Sequence, residues 1–218
     1  LAMTYHGILR SNGYQVGYIG KYHAGSPPKD FFDYNRAFPD QGKYKSEGKK
    51  HLTARIGDQA LEALEQFSKN RAKPFMLTVG FKAPHVQDGS EPPFYLYDKK
   101  LTGHLYQDVV IPPAALDEPE FFQSQPAFIR EGLNRIRWEC RLKGPAQYQR
   151  SVKGYYRLVS GVDVVVGRVI EKLEKLGLSD NTILVFSSDH GVYLGDRGIG
   201  GKWLPHEPVI HIPLVVFD

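Results

Sequence analysis

Between Gln149 and Leu176, apolar residues recur every three or four positions. Leu158, Val159, Val162, Val165, Val166, Val169, Ile170, Leu173 and Leu176 fall on one stripe of a helix. Gly177 stands where a helix of that length needs a left-handed stop, and Glu171 and Lys175 pair one turn apart on the outer face. The apolar run Thr182–Ser187 comes within five residues and reads as a buried strand. A long amphipathic helix passing straight into such a strand restricts the chain to folds that lay helices on a sheet.

The rest of the chain repeats the alternation. Residues 4–12 predict a helix stopped by Asn12-Gly13, and Tyr14–Ile19 predicts a short strand breaking at Gly20. Ile56, Ala60, Leu64 and Phe67 share one face of a helix expected over Thr53–Ser68. Phe75–Gly80 and Pro213–Phe217 read as further strands, residues 24–50 as a long surface loop, and 86–148 as irregular apart from a helix near Phe128–Cys140. Strands and helices joined by short connections predict an α/β fold with a largely parallel central sheet flanked by helices. At 218 residues the chain has material for one sizeable core.

Composition narrows the function classes. A net charge of +4 suits an anionic small molecule or glycan and falls short of a nucleic-acid-binding signature. The single cysteine, Cys140, excludes an internal disulfide framework and a cysteine-based zinc site. No apolar run approaches the roughly 20 residues that span a bilayer. The opening Leu1-Ala2-Met3 and the closing strand-like Ile212–Asp218 give the expectation that both ends are cut.

Four constellations carry chemistry. Gly20-Lys21-Tyr22-His23 ends a predicted strand; its lysine can neutralise an anion and its imidazole can move protons near neutrality, although Gly-Lys is also common in surface turns. Pro84-His85 comes after the strand 75–80, and alone it reads as a solvated or structurally bonded histidine. Asp189-His190 comes after the run 182–187 and offers a carboxylate oxygen and an imidazole nitrogen, a pair suited to calcium, magnesium or manganese; the alternative is an aspartate capping a turn. The glycines of 195–201 allow backbone to approach a ligand next to Lys202, without the spacing of a phosphate-binding P-loop. The series Arg130, Arg135, Arg137, Arg141, Lys143, Arg150, Lys153 and Arg157 reads first as a solvated helix face and second as the rim of a pocket for a sulfated or carboxylated glycan.

Taken in order, Gly13–His23, Lys73-Pro74-Phe75 through Pro84-His85, Asp180–Gly191 with Leu194-Gly195-Asp196, and Gly201-Lys202-Trp203 to Ile212-Pro213-Leu214 resemble the successive blocks of a type I, formylglycine-dependent sulfatase of the alkaline-phosphatase-like superfamily. The resemblance implies hydrolysis of a sulfate ester on a glycan or small molecule. It implies a divalent cation, calcium being the usual one, and a formylglycine nucleophile made from Cys or Ser. By matching position, Asp189 and His190 are metal ligands, and Lys21 and Lys202 hold sulfate oxygens. His23 assists breakdown of the sulfated intermediate, and His85 with Lys202 assists the leaving group. All six are expected to surround one pocket.

The nucleophile motif Cys/Ser-x-Pro-x-Arg is not in these 218 residues, and Cys140 lacks its Pro and Arg. The paired aspartates that complete the metal shell are also missing, and His206-Glu207-Pro208 replaces the more usual Tyr-Glu-Glu. The expectation is therefore a partial catalytic domain over 1–218, with 86–148 an insert near the substrate pocket and no turnover by this chain alone. The resemblance also implies a periplasmic or secreted setting. The rivals are a phosphodiesterase or phosphonate hydrolase of the same superfamily, and a non-catalytic protein that binds sulfated glycans.

Overall fold

The computed structural model describes residues 3–89 and 92–218, so Leu1 and Ala2 lie outside the described residues. The chain forms two compact units rather than the single core expected: 1–87 with 96–104 and 157–180, and 88–95 with 105–156 and 181–218.

The first unit is built on a three-stranded parallel sheet. Helix α1 (Tyr5–Ser11) starts where the Thr4 hydroxyl accepts the Gly7 amide, and it leads into β1 (Gln15–Lys21). Strands β2 (Tyr34–Phe38) and β3 (Phe75–Gly80) flank β1, giving the order β2-β1-β3. The β2 strand lies inside the stretch read as a loop. It is a five-residue edge strand carrying Asn35 and Arg36, too short and too polar for the alternation signal.

Helix α2 (Leu52–Ser68) buries the predicted face, with Ile56, Ala60, Leu64 and Phe67 all at most 2% exposed. Gly57 leaves room for Val165, since a Cβ there would meet Val165 Cγ2 at 2.9 Å. Short α3 (Lys99–Thr102) completes the local helices of this unit.

In the second unit the 86–148 stretch supplies α4 (Pro119–Gln123), α5 (Ala127–Arg130) and α6 (Leu133–Arg141), where one helix is expected. Helix α7 (Pro145–Lys175) contributes residues 145–156 to this unit and the remainder to the first. It opens four residues earlier than predicted, on a proline whose fixed φ suits a first helical position. It ends as predicted: Gly177 sits at φ +61° and Leu178 N–H donates to the Leu173 carbonyl at 2.9 Å.

Strand β4 (Leu184–Ser187) pairs antiparallel with β7 (Leu214–Phe217). Between them lie the paired short strands β5 (Tyr193–Leu194) and β6 (Gly200–Gly201), and α8 (Glu207–Ile210). Within these 218 residues this pair is exposed, Val185 by 60% and β7 along its length. Apolar content alone does not separate a covered strand from an uncovered one.

In a parallel sheet every strand delivers its C-terminal end to the same edge, so β1, β2 and β3 release Lys21, the 39–50 segment and the 81–87 segment together. The β1 and β3 backbones come so close at that edge that two glycines are required. Gly20 pairs with Gly80 at φ +90°, and a Cβ on Gly20 would stand 1.9 Å from the Gly80 carbonyl oxygen. A Cβ on Gly80 would stand 2.7 Å from the Lys21 oxygen. Gly20→Ala is expected to destabilise the protein carrying this chain by about 3 kcal/mol or more. Urea unfolding against wild type measures it; a loss under about 1 kcal/mol would contradict this packing.

Candidate functional site

The sheet edge of the first unit carries three of the six predicted residues. Lys21 ends β1, its carbonyl accepting the Tyr18 hydroxyl at 3.0 Å, and the Tyr22 amide bonds back to the Phe38 carbonyl at 2.9 Å. The Tyr18 and Tyr22 rings meet edge to face at 5.1 Å. These contacts fix the backbone on either side of Lys21 while its ammonium and the exposed His23 ring keep no hydrogen-bond or ion-pair partner among the described residues.

His85 is more firmly placed. The Tyr44 hydroxyl donates to its carbonyl at 2.7 Å, its amide donates to the Lys82 carbonyl at 2.9 Å, and its Nδ1 lies 2.9 Å from the Val86 carbonyl oxygen. A carbonyl only accepts, so Nδ1 carries a proton.

Lys82, a buried cation that sequence reasoning passed over, anchors this corner. It is 3% exposed, with Nζ donating to the Gly42 carbonyl at 3.1 Å and lying 5.2 Å from the centre of the Tyr44 ring. It thereby ties the segment after β3 to the segment after β2. His51 stacks on the other aromatic surface of this corner, its ring 5.1 Å from that of Tyr44 at 13°. Burial pushes the His51 imidazole below its ordinary value, with partial compensation from the Leu96 carbonyl that it bonds at 2.7 Å.

The other three residues meet in the second unit. His190 Nδ1 lies 2.7 Å from the Gly191 carbonyl oxygen, and its Nε2 lies 2.6 Å from Lys202 Nζ. The carbonyl can only accept and the ammonium can only donate, so the ring is protonated at Nδ1 and offers Nε2 as an acceptor. Asp189 Oδ2 approaches the same nitrogen at 3.6 Å, and the Asp189 side chain is 73% exposed. Its other oxygen accepts the amide of the adjacent His190 at 3.1 Å, and no bond to the amide two residues on, which a turn cap would make, is present among the described residues.

An imidazole held by a backbone carbonyl through one nitrogen, with the other presented beside a carboxylate, is the usual form of a metal-binding histidine. The donors fit a divalent cation, and the Lys202 ammonium already takes a cation's place on Nε2. No group of three or more His, Cys, Asp or Glu is positioned for a metal among the described residues, so this pair is at most part of a coordination shell.

The glycines around Lys202 make close approaches within the fold. A Cβ on Gly201 would meet Arg137 Cδ at 2.9 Å, one on Gly200 the Trp138 backbone nitrogen at 3.2 Å, and one on Gly191 the Pro208 carbonyl oxygen at 2.1 Å. They let α6 lie against β6, where Asn134, 7% exposed, donates to the carbonyls of Gly200 (2.9 Å) and Lys202 (2.7 Å). No local signal marks Asn134, because its acceptors lie more than 60 residues away in sequence. A cleft of about 560 Å³ opens in this unit beside Asp196, Arg197 and residues 205–208, and none of the six predicted residues lines it.

The parallel sheet, the helices and the solved structures they match define an alkaline-phosphatase-like α/β protein. One is a complex with its substrate D-glucosamine-2-N,6-O-disulfate, with TM-score 0.73 and 25% identity, covering 98% of this chain and 55% of that one. Another is the phosphonate monoester hydrolase of Silicibacter pomeroyi, with TM-score 0.65 and 21% identity, covering 97% of this chain and 52% of that one. The sulfatase family model matches residues 6–218, and the chain belongs to the sulfatase family.

Relatives include the N-acetylglucosamine-6-O-sulfatase of Bacteroides thetaiotaomicron, 27% identical over 98% of this chain and 48% of the relative. Human iduronate 2-sulfatase is 30% identical over 73% of this chain and 29% of the relative. The chain thus spans about half or less of the length of these relatives.

Asn134→Ala leaves two inward-facing carbonyls without their donor and should lower stability by about 1–3 kcal/mol. Denaturant unfolding of the protein carrying this chain measures the loss; no change would contradict a clamp on the Lys202 segment.

Proposed function

We propose that the protein of which this chain is part hydrolyses a sulfate ester on a saccharide, and that residues of this chain supply part of a cation site and the groups that hold the anion. The observation that carries the reading is the Asp189–His190–Lys202 cluster, in which a carboxylate and an ammonium both lie within 3.6 Å of the acceptor nitrogen Nε2. Membership of the sulfatase family supports the reaction type. The saccharide is supported by two relatives named for aminosugar and iduronate sulfates.

Asp189 and His190 are assigned as ligands of a divalent cation, calcium by family resemblance. When bound, such a cation supplies Lewis-acid stabilisation of charge on sulfate oxygens. The remaining roles belong to fixed charges and proton carriers on this chain. The Lys202 ammonium, 2.6 Å from His190 Nε2, is assigned to a sulfate oxygen bound beside that ring. Lys21, at the sheet edge and unpartnered among the described residues, takes the same role. Positive charge beside the sulfate oxygens offsets the negative charge that develops on them in the transition state.

His23, exposed just beyond the same sheet edge, is the general base or acid for turnover of the sulfated enzyme. His85 presents an acceptor Nε2 when neutral; when protonated, it can donate to the departing alkoxide. The formylglycine nucleophile that the resemblance implies has no matching motif within these 218 residues. This chain alone is accordingly expected to be inactive.

In the full enzyme, Lys202→Ala should lower kcat/KM for a sulfated saccharide about 10²–10³-fold. Chelation should abolish sulfate release, with calcium restoring it. His190→Ala should weaken calcium binding measured by calorimetry, a readout independent of turnover. Sulfate release that survives both chelation and Lys202→Ala would overturn the reading. Faster hydrolysis of a phosphonate or phosphate ester than of the sulfate would favour the phosphonate hydrolase instead.

A further inference from the structure

The basic series of residues 130–157 divides sharply once its partners are known. The Arg135 guanidinium carbon lies 4.0 Å from the ring centres of both Phe122 and Trp138, and the group donates to the Gly198 carbonyl at 2.9 Å and approaches Glu139 at 3.5 Å. Arg141 bonds Asp88 at 3.1 Å and lies over the Phe94 ring. Both are committed to holding this unit together.

Arg137 is different. Its guanidinium carbon lies 4.1 Å from the centre of the Trp203 ring, and it has neither a carboxylate nor a hydrogen-bond acceptor among the described residues. Burial, then the neighbouring Arg141, pushes its pKa below the ordinary guanidinium value, and Asp88 offsets this only in part. A half-buried cation beside a second cation is stabilised by any anion that reaches it.

The placement of that charge is also built. Arg137 stands one turn after Asn134 on α6, and Asn134 grips the Lys202 carbonyl. Trp203 comes directly after Lys202, 61% exposed and at φ +87°, a left-handed conformation uncommon for a bulky residue. The indole is thus held outward next to the lysine with a guanidinium stacked against it. A guanidinium over an aromatic ring still has N–H donors that suit a planar or tetrahedral oxyanion.

We propose that Arg137, stacked on Trp203, is an anion subsite beside Lys202 that recognises a second negative group of a saccharide substrate, a carboxylate or a further sulfate. This rests on the sulfatase reading above and adds to it the class of substrate: a saccharide with at least two oxyanions. The nearby Arg135 and Arg141 are excluded from the role by the partners they already hold.

The test uses the full enzyme. 4-Nitrophenyl sulfate has one anion, the scissile group, whereas sulfated disaccharides can add a uronate carboxylate or a second sulfate. Arg137→Gln should lower the kcat/KM of the dianionic disaccharides relative to 4-nitrophenyl sulfate at least ten-fold, and Arg137→Lys should lower it less. Comparing the carboxylate and sulfate disaccharides identifies which oxyanion the subsite prefers. An unchanged ratio, including equal losses on both substrate types, would overturn the proposal and leave Arg137 as a brace of the Lys202 segment.

Equilibrium affinity for the same disaccharides, measured by calorimetry, keeps the two readings apart. If the wild-type enzyme releases no sulfate, the sulfatase reading fails. A ten-fold loss of affinity in Arg137→Gln would still uphold the subsite, and an unaltered affinity would still refute it.

Discussion

A single imidazole, His190, holds together the cluster it forms with Asp189 and Lys202. Its Nδ1 is committed to the Gly191 carbonyl, so the ring has one orientation and one lone pair to offer; the Lys202 ammonium donates to that lone pair, and the Asp189 carboxylate lies beside it at 3.6 Å. The commitment depends on backbone geometry. Gly191 N–H donates to the Val209 carbonyl at 2.7 Å, and the contact is close enough that any side chain at 191 would strike the Pro208 carbonyl. The Gly of Asp-His-Gly is therefore part of the histidine's orientation, one step removed. The same logic runs through Lys202, whose carbonyl is held by Asn134 while Gly200 and Gly201 admit the helix that carries it.

The first unit solves a parallel problem with a sheet. Parallel strands send their C-terminal ends to one edge, and the Gly20–Gly80 pair lets β1 and β3 stay in register up to the last residue before the functional segments diverge. Beyond that point the segments are tied rather than free, with Lys82 and Tyr44 linking the residues after β3 to those after β2. Burying an ammonium is costly unless it is bonded, so Lys82 makes that corner intolerant of rearrangement. The rigid corner holds His85, while Lys21 and His23 extend from the same sheet edge with their polar ends available.

How much the sequence revealed depended on how local each signal is. The faces of α2 and α7 were readable because the 3.6-residue repeat is written in neighbouring residues, and the Gly177 stop because left-handed backbone selects glycine. The sheet-edge residues and the Asp189–His190 pair were readable because they end apolar runs. The edge strand β2 was not, since it has little apolar alternation to display. The exposure of β4 and β7 was hidden because an apolar run does not record what covers it. The supporting roles of Asn134 and Lys82, and the division of the arginine series into braced and unbraced members, depend on contacts distant in sequence. Periodicity has no access to those. Close approach, the property for which the glycines of 195–201 stand out, is met at Gly200 and Gly201 by helix α6.

The assigned chemistry depends on which nitrogen of His190 bears the proton. Nitrogen-15 NMR of the metal-free protein, with the imidazole of His190 assigned by comparison with His190→Ala, reads that directly. At a pH where the ring is neutral, Nδ1 should carry the proton and Nε2 should show the shift of an unprotonated acceptor, moving when calcium is added. A ring protonated at Nε2, or one whose Nε2 signal ignores calcium, would contradict the arrangement from which the function is derived.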